Sequence, residues 1–278
     1  MFSPPGGERI MSRLVVENLT KTFAIGFFSK RYIHAVKNVS FEVKEREIVS
    51  LVGESGSGKT TTAKMILRLF PPTSGRIVFE GKDIWRDIKK QEDLKWLRRK
   101  VHAVFQDPFA SYNPFYPVER TLWQAVNLME KKPQSKKEGL EMIKEALFKV
   151  GIDPKDVLGK YPHQISGGQK QRIMIARCWI LRPLLIVADE PTSMIDASSR
   201  GGIIKLLEEL REEQGTSIIF ITHDLGLAYY VSDNILVMKD GEVVEGGHPD
   251  KVVLQPSHEY TKLLVESVPK LYRKLEGL

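Results

Sequence analysis

Short apolar runs alternate with longer amphipathic patterns over much of the chain. Five runs predict β-strands: Ile48–Val52, Val101–Phe105, Leu184–Ala188, Ser217–Ile221 and Ile235–Met238. Four of these runs are almost wholly apolar, which is typical of strands covered by helices on both faces. Helical periodicity occurs in five longer segments: Lys59–Phe70, Glu119–Glu130, Lys136–Val150, Gln169–Leu181 and Ser198–Glu213. The alternation of strands and helices predicts an α/β fold with a mostly parallel sheet.

Two regions depart from this alternation. Residues 13–50 and 75–85 have the pattern of an antiparallel β subdomain, with short strands predicted at Arg13–Glu17, Val39–Val43 and Gly75–Phe79. Residues 107–180 are mostly helical in pattern and lie between two core strands. We therefore expect a core sheet flanked by an antiparallel β subdomain and a helical subdomain.

The composition is that of a globular protein. The 278 residues are 42% hydrophobic and 28% charged, which excludes global disorder. There is no apolar run long enough to span a bilayer, and the first residues lack the pattern of a secretory signal, so we expect a cytoplasmic protein. The lone Cys178 excludes an internal disulfide. The net charge of +7 is compatible with a polyanionic ligand, but the basic residues are dispersed, which favours solvated helix faces.

A glycine-rich loop follows the first core strand directly and precedes a helix. Its residues are Gly53, Glu54, Ser55, Gly56, Ser57, Gly58, Lys59 and Thr60, and Thr61 is the next residue of the helix. Glycines allow consecutive backbone N–H groups to converge on one anion, and the helix adds its positive N-terminal end. Lys59 supplies a cation for the β- and γ-phosphates, and the Thr60 hydroxyl can bind Mg²⁺. The pattern predicts a nucleoside triphosphate site in this phosphate loop (Gly53–Thr60).

Two carboxylates follow a later core strand. Asp189 and Glu190 come directly after the run Leu184–Ala188. An apolar strand that delivers a carboxylate at its C-terminal end is the usual partner of a phosphate loop, and Asp189 is expected to hold Mg²⁺ through water. Glu190 is placed to polarise an attacking water as a general base.

A second candidate anion site lies at the start of another predicted helix. Ser166, Gly167, Gly168 and Gln169 occupy this position. One interpretation is purely structural, with Ser166 as a helix N-cap. The other is a phosphate-binding helix end. Two such ends far apart in one chain suggest that the second serves a nucleotide bound to another molecule.

Several motifs together resemble the ATP-binding subunit of an ABC transporter. They are GESGSGKT (53–60), ISGGQ (165–169, the signature segment), IVADEPT (186–192), SMID (193–196) and THD (222–224). Other segments are similar to the oligopeptide and dipeptide importers, a subfamily that includes oligosaccharide importers: VFQDP (104–108), SYNP (111–114), YPHQ (161–164) and QPSHEYTKLL (255–264). One departure from the family pattern is Arg46, which stands where a turn glycine is more usual.

The resemblance also implies a domain organisation. The nucleotide-binding domain spans residues 1–250, and a C-terminal extension of the importer type spans residues 251–278. Within the extension, Tyr260, Leu263 and Leu264 have the i, i+3, i+4 spacing of one helix face, so we expect a short helix that packs on the domain.

The resemblance assigns roles to further residues. Gln106 is implied to contact Mg²⁺ and to sense the membrane subunit. Residues 166–168 are implied to contact the γ-phosphate held by an opposing subunit, with Gln169 in the same site. Asp196 is implied to couple the two sites, and His223 to hold the γ-phosphate and the attacking water. An aromatic side chain is expected to stack on adenine, with Phe23 the first candidate and Tyr32 the second.

The function implied is ATP hydrolysis that drives import of peptides or oligosaccharides through separate transmembrane permease subunits. The expected partners are those permeases, a second ATP-binding subunit, identical or related, and an extracytoplasmic substrate-binding protein that acts through the permease; nucleic acid is not expected. The expected location is the cytoplasmic face of the membrane. An alternative is an ABC-type ATPase of DNA repair or chromosome maintenance. Such proteins insert coiled coils or zinc modules before the signature segment, and residues 61–164 contain neither heptads nor a cysteine pair.

Overall fold

The computed structural model describes residues 12–26, 31–107 and 112–267. Residues 108 and 111 of the importer-like motifs, residues 1–11 of the expected domain and residues 268–278 of the C-terminal extension lie outside the described residues. The strands of the described part are β1 (Ser12–Ile25), β2 (Arg31–Lys44), β3 (Ile48–Val52), β4 (Ser74–Phe79), β5 (Lys82–Asp83), β6 (Val101–Val104), β7 (Leu185–Asp189), β8 (Ser217–Thr222), β9 (Asn234–Lys239) and β10 (Glu242–Gly247).

The helices of the described part are α1 (Lys59–Ile66), α2 (Gln91–Lys100), α3 (Glu119–Leu128), α4 (Lys136–Lys149), α5 (Gly167–Leu181), α6 (Ala197–Gln214), α7 (Leu225–Val231), α8 (Pro249–Leu254) and α9 (Glu259–Glu266). Short 3₁₀ turns occupy Pro154–Asp156 and Pro162–Gln164. Among these helices, there is none that is both long and apolar enough to cross a bilayer.

Two sheets organise the chain. The larger sheet has the strand order β10-β9-β3-β8-β7-β6, in which only β10 runs antiparallel to its neighbour. Strands β3, β7 and β8 are buried along their whole length, as their apolar sequences predict. The smaller sheet is antiparallel, with the order β2-β1-β4-β5. The predicted α/β class with an antiparallel β subdomain is confirmed.

The helical subdomain is also present. Helices α3, α4 and α5 bury a common apolar cluster that includes Leu122, Ile143 and Ile173. Because they are inserted between β6 and β7, which are neighbours in the large sheet, the cluster continues into the sheet through residues such as Val104 and Ile186.

Several local predictions differ from the structure. Strands β1 and β2 are each 14 residues long, where short strands were predicted at Arg13–Glu17 and Val39–Val43. Helix α1 ends at Ile66 rather than at Phe70, and Arg68 just beyond it has a left-handed backbone with φ 58°. Helix α2 was not predicted, because only Leu97 of its ten residues is buried and it has no broad apolar face. In α9, Tyr260 and Leu264 are buried as predicted, whereas Leu263 is 62% exposed.

The C-terminal helices pack on the domain. Helices α8 and α9 cover the edge of the large sheet near β9 and α7, in a cluster that includes Val237, Val252 and Leu264. Residue 250, the predicted end of the nucleotide-binding domain, is the second residue of α8.

Candidate functional site

The phosphate loop leaves the C-terminal end of β3, which lies between β8 and β9 in the large sheet. Two of its glycines are required by close approach of other backbone segments. A Cβ on Gly53 would lie 2.1 Å from the Met238 carbonyl oxygen, and one on Gly58 would lie 2.6 Å from the Ala35 carbonyl oxygen. Both glycines also have positive φ, at 155° and 104°. The loop is therefore wedged between β9 and β2, and side chains are excluded at these points.

Lys59 extends across the loop. Its Nζ donates hydrogen bonds to the carbonyl oxygens of Gly53 (2.6 Å) and Glu54 (2.7 Å) and to Ser57 Oγ (3.1 Å). The residue is 5% exposed. Burial lowers the pKa of Lys59, and the nearby carboxylates of Glu190 and Asp189 act in the opposite direction. The arrangement fixes one cation at the centre of the loop.

Thr60 and Asp189 form the second part of the site. The Thr60 hydroxyl donates a hydrogen bond of 3.2 Å to Asp189 Oδ1, which joins the start of α1 to the end of β7. Burial raises the pKa of Asp189, while the Thr60 hydrogen bond and Lys59 lower it. A hydroxyl and a carboxylate side by side are oxygen ligands of the kind that Mg²⁺ prefers with several waters. In the part of the chain that the structure describes, there is no cluster of three or more His, Cys, Asp or Glu side chains that could hold a metal. The residues fit a sparsely ligated Mg²⁺.

Glu190 contacts side chains from two other elements. Its Oε2 accepts from Gln106 Nε2 at 3.2 Å, and its Oε1 lies 3.2 Å from His223 Nδ1. Gln106 follows β6 and His223 follows β8, so the C-terminal ends of three parallel strands converge here. The three residues predicted to be catalytic are therefore brought into direct contact.

The backbone of Glu190 is held in an uncommon conformation. Its φ is 45°, in the left-handed region that only glycine adopts at little cost. Its N–H donates to the Ile221 carbonyl oxygen at 2.9 Å, and its own carbonyl accepts from Ser193. A non-glycine residue kept in such a conformation at the end of a core strand is typical of a functional site.

The signature segment lies at the start of α5. Ser166 Oγ accepts from the Gln169 N–H at 3.2 Å, and Gln169 Oε1 accepts from the Ser166 N–H at 3.0 Å. This reciprocal pair is a capping box, so Ser166 is an N-cap as one interpretation predicted. Gly167 and Gly168 form the first turn, and a Cβ on Gly168 would lie 3.7 Å from Ile195, beside the exposed Asp196.

The signature helix contacts the segment that carries Gln106. Gln171 Nε2 donates to the Phe105 carbonyl at 3.3 Å, and Tyr112 Oη donates to the Lys170 carbonyl at 2.9 Å. Lys170 is 1% exposed, and Asp107 acts on it electrostatically. Sequence reasoning missed these contacts, because they join positions up to 66 residues apart.

The two candidate aromatics lie on opposite faces of the β1–β2 hairpin. Phe23 pairs with Ile33 and Tyr32 pairs with Ala24, which are successive positions of the ladder. The Phe23 ring meets the Phe70 ring edge to face, with centroids 5.5 Å apart, whereas Tyr32 is 62% exposed. The hairpin therefore cannot present both rings to one ligand.

Comparison with known proteins agrees with this geometry. The ABC transporter family profile matches residues 36–193. The oligopeptide transport ATP-binding protein AppF of Bacillus subtilis is 39% identical over 92% of this chain and 78% of its own length. A probable peptide ABC transporter ATP-binding protein of Sinorhizobium fredii, y4tS, is 40% identical over 92% of this chain and 72% of its own.

Solved structures of the same family share the fold. The ATP-binding cassette MJ0796, a dimer in a post-hydrolysis state bound to ADP and Pi, superposes with a TM-score of 0.75 at 32% identity and covers 85% of this chain and 98% of that one. The cbiO1 subunit of Clostridium perfringens, part of an ABC transporter complex, gives a TM-score of 0.72 at 30% identity and covers 95% and 99%. With the loop, the strand-end carboxylates and the signature segment in place, the chain belongs to the ABC transporter family of ATPases.

Proposed function

We propose that this ATPase drives import of peptides or oligosaccharides through separate transmembrane permease subunits. The observation that carries the proposal is the contact of Glu190 with both Gln106 and His223, next to the Thr60–Asp189 pair. AppF and y4tS, the two relatives described above, are named as peptide transport proteins, which favours transport over DNA repair and favours peptides as the substrate class.

Glu190 acts as the general base in this proposal. A carboxylate that accepts a hydrogen bond from Gln106 and lies against His223 Nδ1 is held in orientation, and it can take a proton from a water aligned with the γ-phosphate. His223 is 63% exposed at its side chain, so its second ring nitrogen can reach a phosphate oxygen. Lys59 neutralises the β- and γ-phosphates. Thr60, Asp189 and Gln106 would hold Mg²⁺, and the ion would supply charge neutralisation at the phosphates.

The complete site needs a second subunit. The phosphate loop and the signature segment lie on different subdomains, and Gln171 in the first turns of α5 donates to the Phe105 carbonyl, next to Gln106. In the proposal, residues 166–169 face the γ-phosphate bound by a partner, and Asp196 lies at the contact between the two subunits. The partner is an identical or related ATP-binding subunit. In the proposal, Phe23 stacks on the adenine ring, with Tyr32 as the alternative.

The partners and location follow from this arrangement. The permeases would hold the ATPase at the cytoplasmic face of the membrane, and an extracytoplasmic binding protein would select the substrate. The nucleotide-binding domain covers residues 1–250 and the importer-type extension covers residues 251–278.

Uptake by the source cell tests the proposal. A strain without the gene is complemented with the wild-type chain or with Glu190→Gln, and uptake of labelled oligopeptides and oligosaccharides is measured. We expect the wild type alone to restore uptake of one of these classes. Unchanged uptake of both classes in the strain without the gene would overturn the proposal.

A further inference from the structure

The first corner of the phosphate loop is held by a residue from the C-terminal extension. The backbone N–H of Glu54 donates a hydrogen bond of 2.9 Å to the hydroxyl of Tyr260, 206 positions along the chain. The carbonyl of the same residue accepts from Lys59 Nζ at 2.7 Å. Both backbone groups of Glu54 are therefore engaged, and the contact with Tyr260 is the one that comes from outside the loop.

Tyr260 is itself fixed by packing. It is 5% exposed and shares an apolar cluster with Val52, Val237 and Leu264. The ammonium of Lys239 lies 5.0 Å from the centre of its ring. Burial raises the pKa of Tyr260, so the phenol stays neutral near pH 7 and keeps its oxygen available as an acceptor. The ring and the hydroxyl are held in one place without help from the loop.

The chain just before Tyr260 is anchored to the large sheet. The buried carboxylate of Glu245, on β10, accepts from the Ser257 N–H (2.8 Å) and hydroxyl (2.7 Å) and from the His258 N–H (3.1 Å). His258 Nδ1 then accepts from the Tyr260 N–H at 3.1 Å and caps α9. A continuous set of hydrogen bonds thus leads from the sheet, through the extension, to the phosphate loop.

We propose that Tyr260 is a positioning residue for nucleotide binding, which makes the C-terminal extension part of the ATP site. The proposal rests on ATP binding at the phosphate loop. Phosphate is bound by N–H groups that must point together, and the first peptide of the loop sets the direction of those that follow. Holding Glu54 in advance reduces the ordering needed when nucleotide binds. Because the contact is at the strand end of the loop, it acts on ATP and ADP alike.

The test is Tyr260→Phe, which keeps the ring and removes the acceptor. The loss of one neutral hydrogen bond predicts about 2- to 10-fold weaker binding of both Mg-ATP and ADP. The KM for ATP should rise by a similar factor, while kcat stays within about 2-fold. Fluorescent-nucleotide titration and steady-state hydrolysis measure these quantities. Unchanged affinity in Tyr260→Phe would overturn the proposal.

Tyr229→Phe is the matched control. Tyr229 packs against the same cluster and donates its hydroxyl to Asp250, at the start of α8, at 2.8 Å, rather than to the phosphate loop. We expect its nucleotide affinity to equal that of the wild type. An equal loss of affinity in both variants would show that any loosening of the extension weakens binding, which contradicts a specific role for the Tyr260 hydroxyl.

Hydrogen exchange gives a second readout that does not depend on hydrolysis. In the nucleotide-free wild type the Glu54 amide should be protected, and in Tyr260→Phe it should exchange faster while the amides of β3 keep their protection. An unprotected Glu54 amide in the wild type would contradict the proposal. Failure of ATP binding at the phosphate loop, on which the proposal rests, gives a different result. In that case the wild type would not bind nucleotide, or Lys59→Ala would bind nucleotide as tightly as the wild type does.

Discussion

Lys59 combines burial with three hydrogen bonds to loop oxygens, so its ammonium is held where phosphates converge. Replacement by alanine removes the one loop cation. Charge-assisted hydrogen bonds contribute about 1.5–3 kcal/mol each, so Lys59→Ala should weaken ATP binding by about 10- to 100-fold or more. Titration with a fluorescent nucleotide measures this, and Lys64→Ala, an exposed change on the same helix, is the control. Near-native affinity in Lys59→Ala would remove Lys59 from this role.

Arg46 shows how a single residue can carry strain. It occupies the turn between β2 and β3 with φ 58°, where the family pattern has glycine. Its N–H donates to Ser217 Oγ at 3.0 Å, and its side chain makes an exposed contact with Glu212 at 3.3 Å.

Two variants of Arg46 separate strain from contacts. Arg46→Gly and Arg46→Ala lose the same ion pair, but only glycine relieves the left-handed backbone. The relief stabilises the folded state by about 1–2 kcal/mol. The greater chain entropy of glycine in the unfolded state offsets about 0.5–1 kcal/mol of this. Arg46→Gly should therefore be about 0.5–1 kcal/mol more stable than Arg46→Ala by urea unfolding. If the alanine variant is the more stable of the two, the turn is not strained.

Single residues differed in how far sequence could predict them. The roles of Lys59, Thr60 and Asp189 follow from the chemistry of the loop and of the strand end. The roles of Gln106 and His223 were predicted only through resemblance to a family, and their approach to Glu190 was not predicted, because it depends on which strands are neighbours. The contact of Tyr260 with Glu54 has no signal in the sequence, since an isolated tyrosine in an apolar helix pattern reads as packing.

At the scale of elements, burial decided what could be predicted. Strands β3, β7 and β8 are buried along their whole length, and their mostly apolar sequences reveal them. Helix α2 buries only Leu97 and is missed. In α9 the buried positions are 260, 261, 264 and 265, a stripe that includes Thr261 and omits Leu263. A threonine that is 0% exposed cannot be recognised from its type alone.

The attachment of α9 should depend on the charge of Glu245. Burial raises the pKa of this carboxyl, but the hydrogen bonds that it accepts from Ser257 and His258 act in the opposite direction, and the pKa is lowered from 4.5 to about 2. The ionised carboxylate of Glu245 therefore stabilises the folded state fully above about pH 4.5, and this stabilisation is lost as the pH falls towards 2.

Glu245→Gln tests this dependence of stability on pH. The urea midpoint of the variant should lie below that of the wild type at neutral pH, and the difference should shrink as the pH falls from 4.5 towards 2, where the wild-type carboxyl is protonated as well. Glu242→Gln, an exposed change on the same strand, should show no such trend. A difference that is constant with pH would mean that the charge of Glu245 does not hold the extension.

At the scale of the whole molecule, the proposed assembly brings the phosphate loop of one subunit to the signature segment of another. We expect the isolated subunit to be mostly monomeric, because the contact between subunits is formed largely through shared nucleotide. Glu190→Gln removes the base and a negative charge beside the γ-phosphate, which lowers repulsion in the closed state.

Size-exclusion chromatography of Glu190→Gln tests this assembly. Mg-ATP should shift the variant to a dimer, whereas ADP should leave it monomeric. If the native partner is a related subunit, the shift should appear when that subunit is added in equal amount. If Glu190→Gln stays monomeric with Mg-ATP, both alone and with the related subunit added, the result would contradict a site shared between two subunits.

Phosphate release from ATP by Glu190→Gln tests the central assignment most directly. At ATP concentrations that saturate both proteins, the variant should hydrolyse at least about 100-fold more slowly than the wild type, because a general base contributes about 10²–10⁴-fold. Its nucleotide affinity should be equal to or tighter than that of the wild type. The exposed change Glu213→Gln, on α6, should leave the rate unaltered. Hydrolysis by Glu190→Gln at the wild-type rate would contradict the assignment of Glu190 as the base.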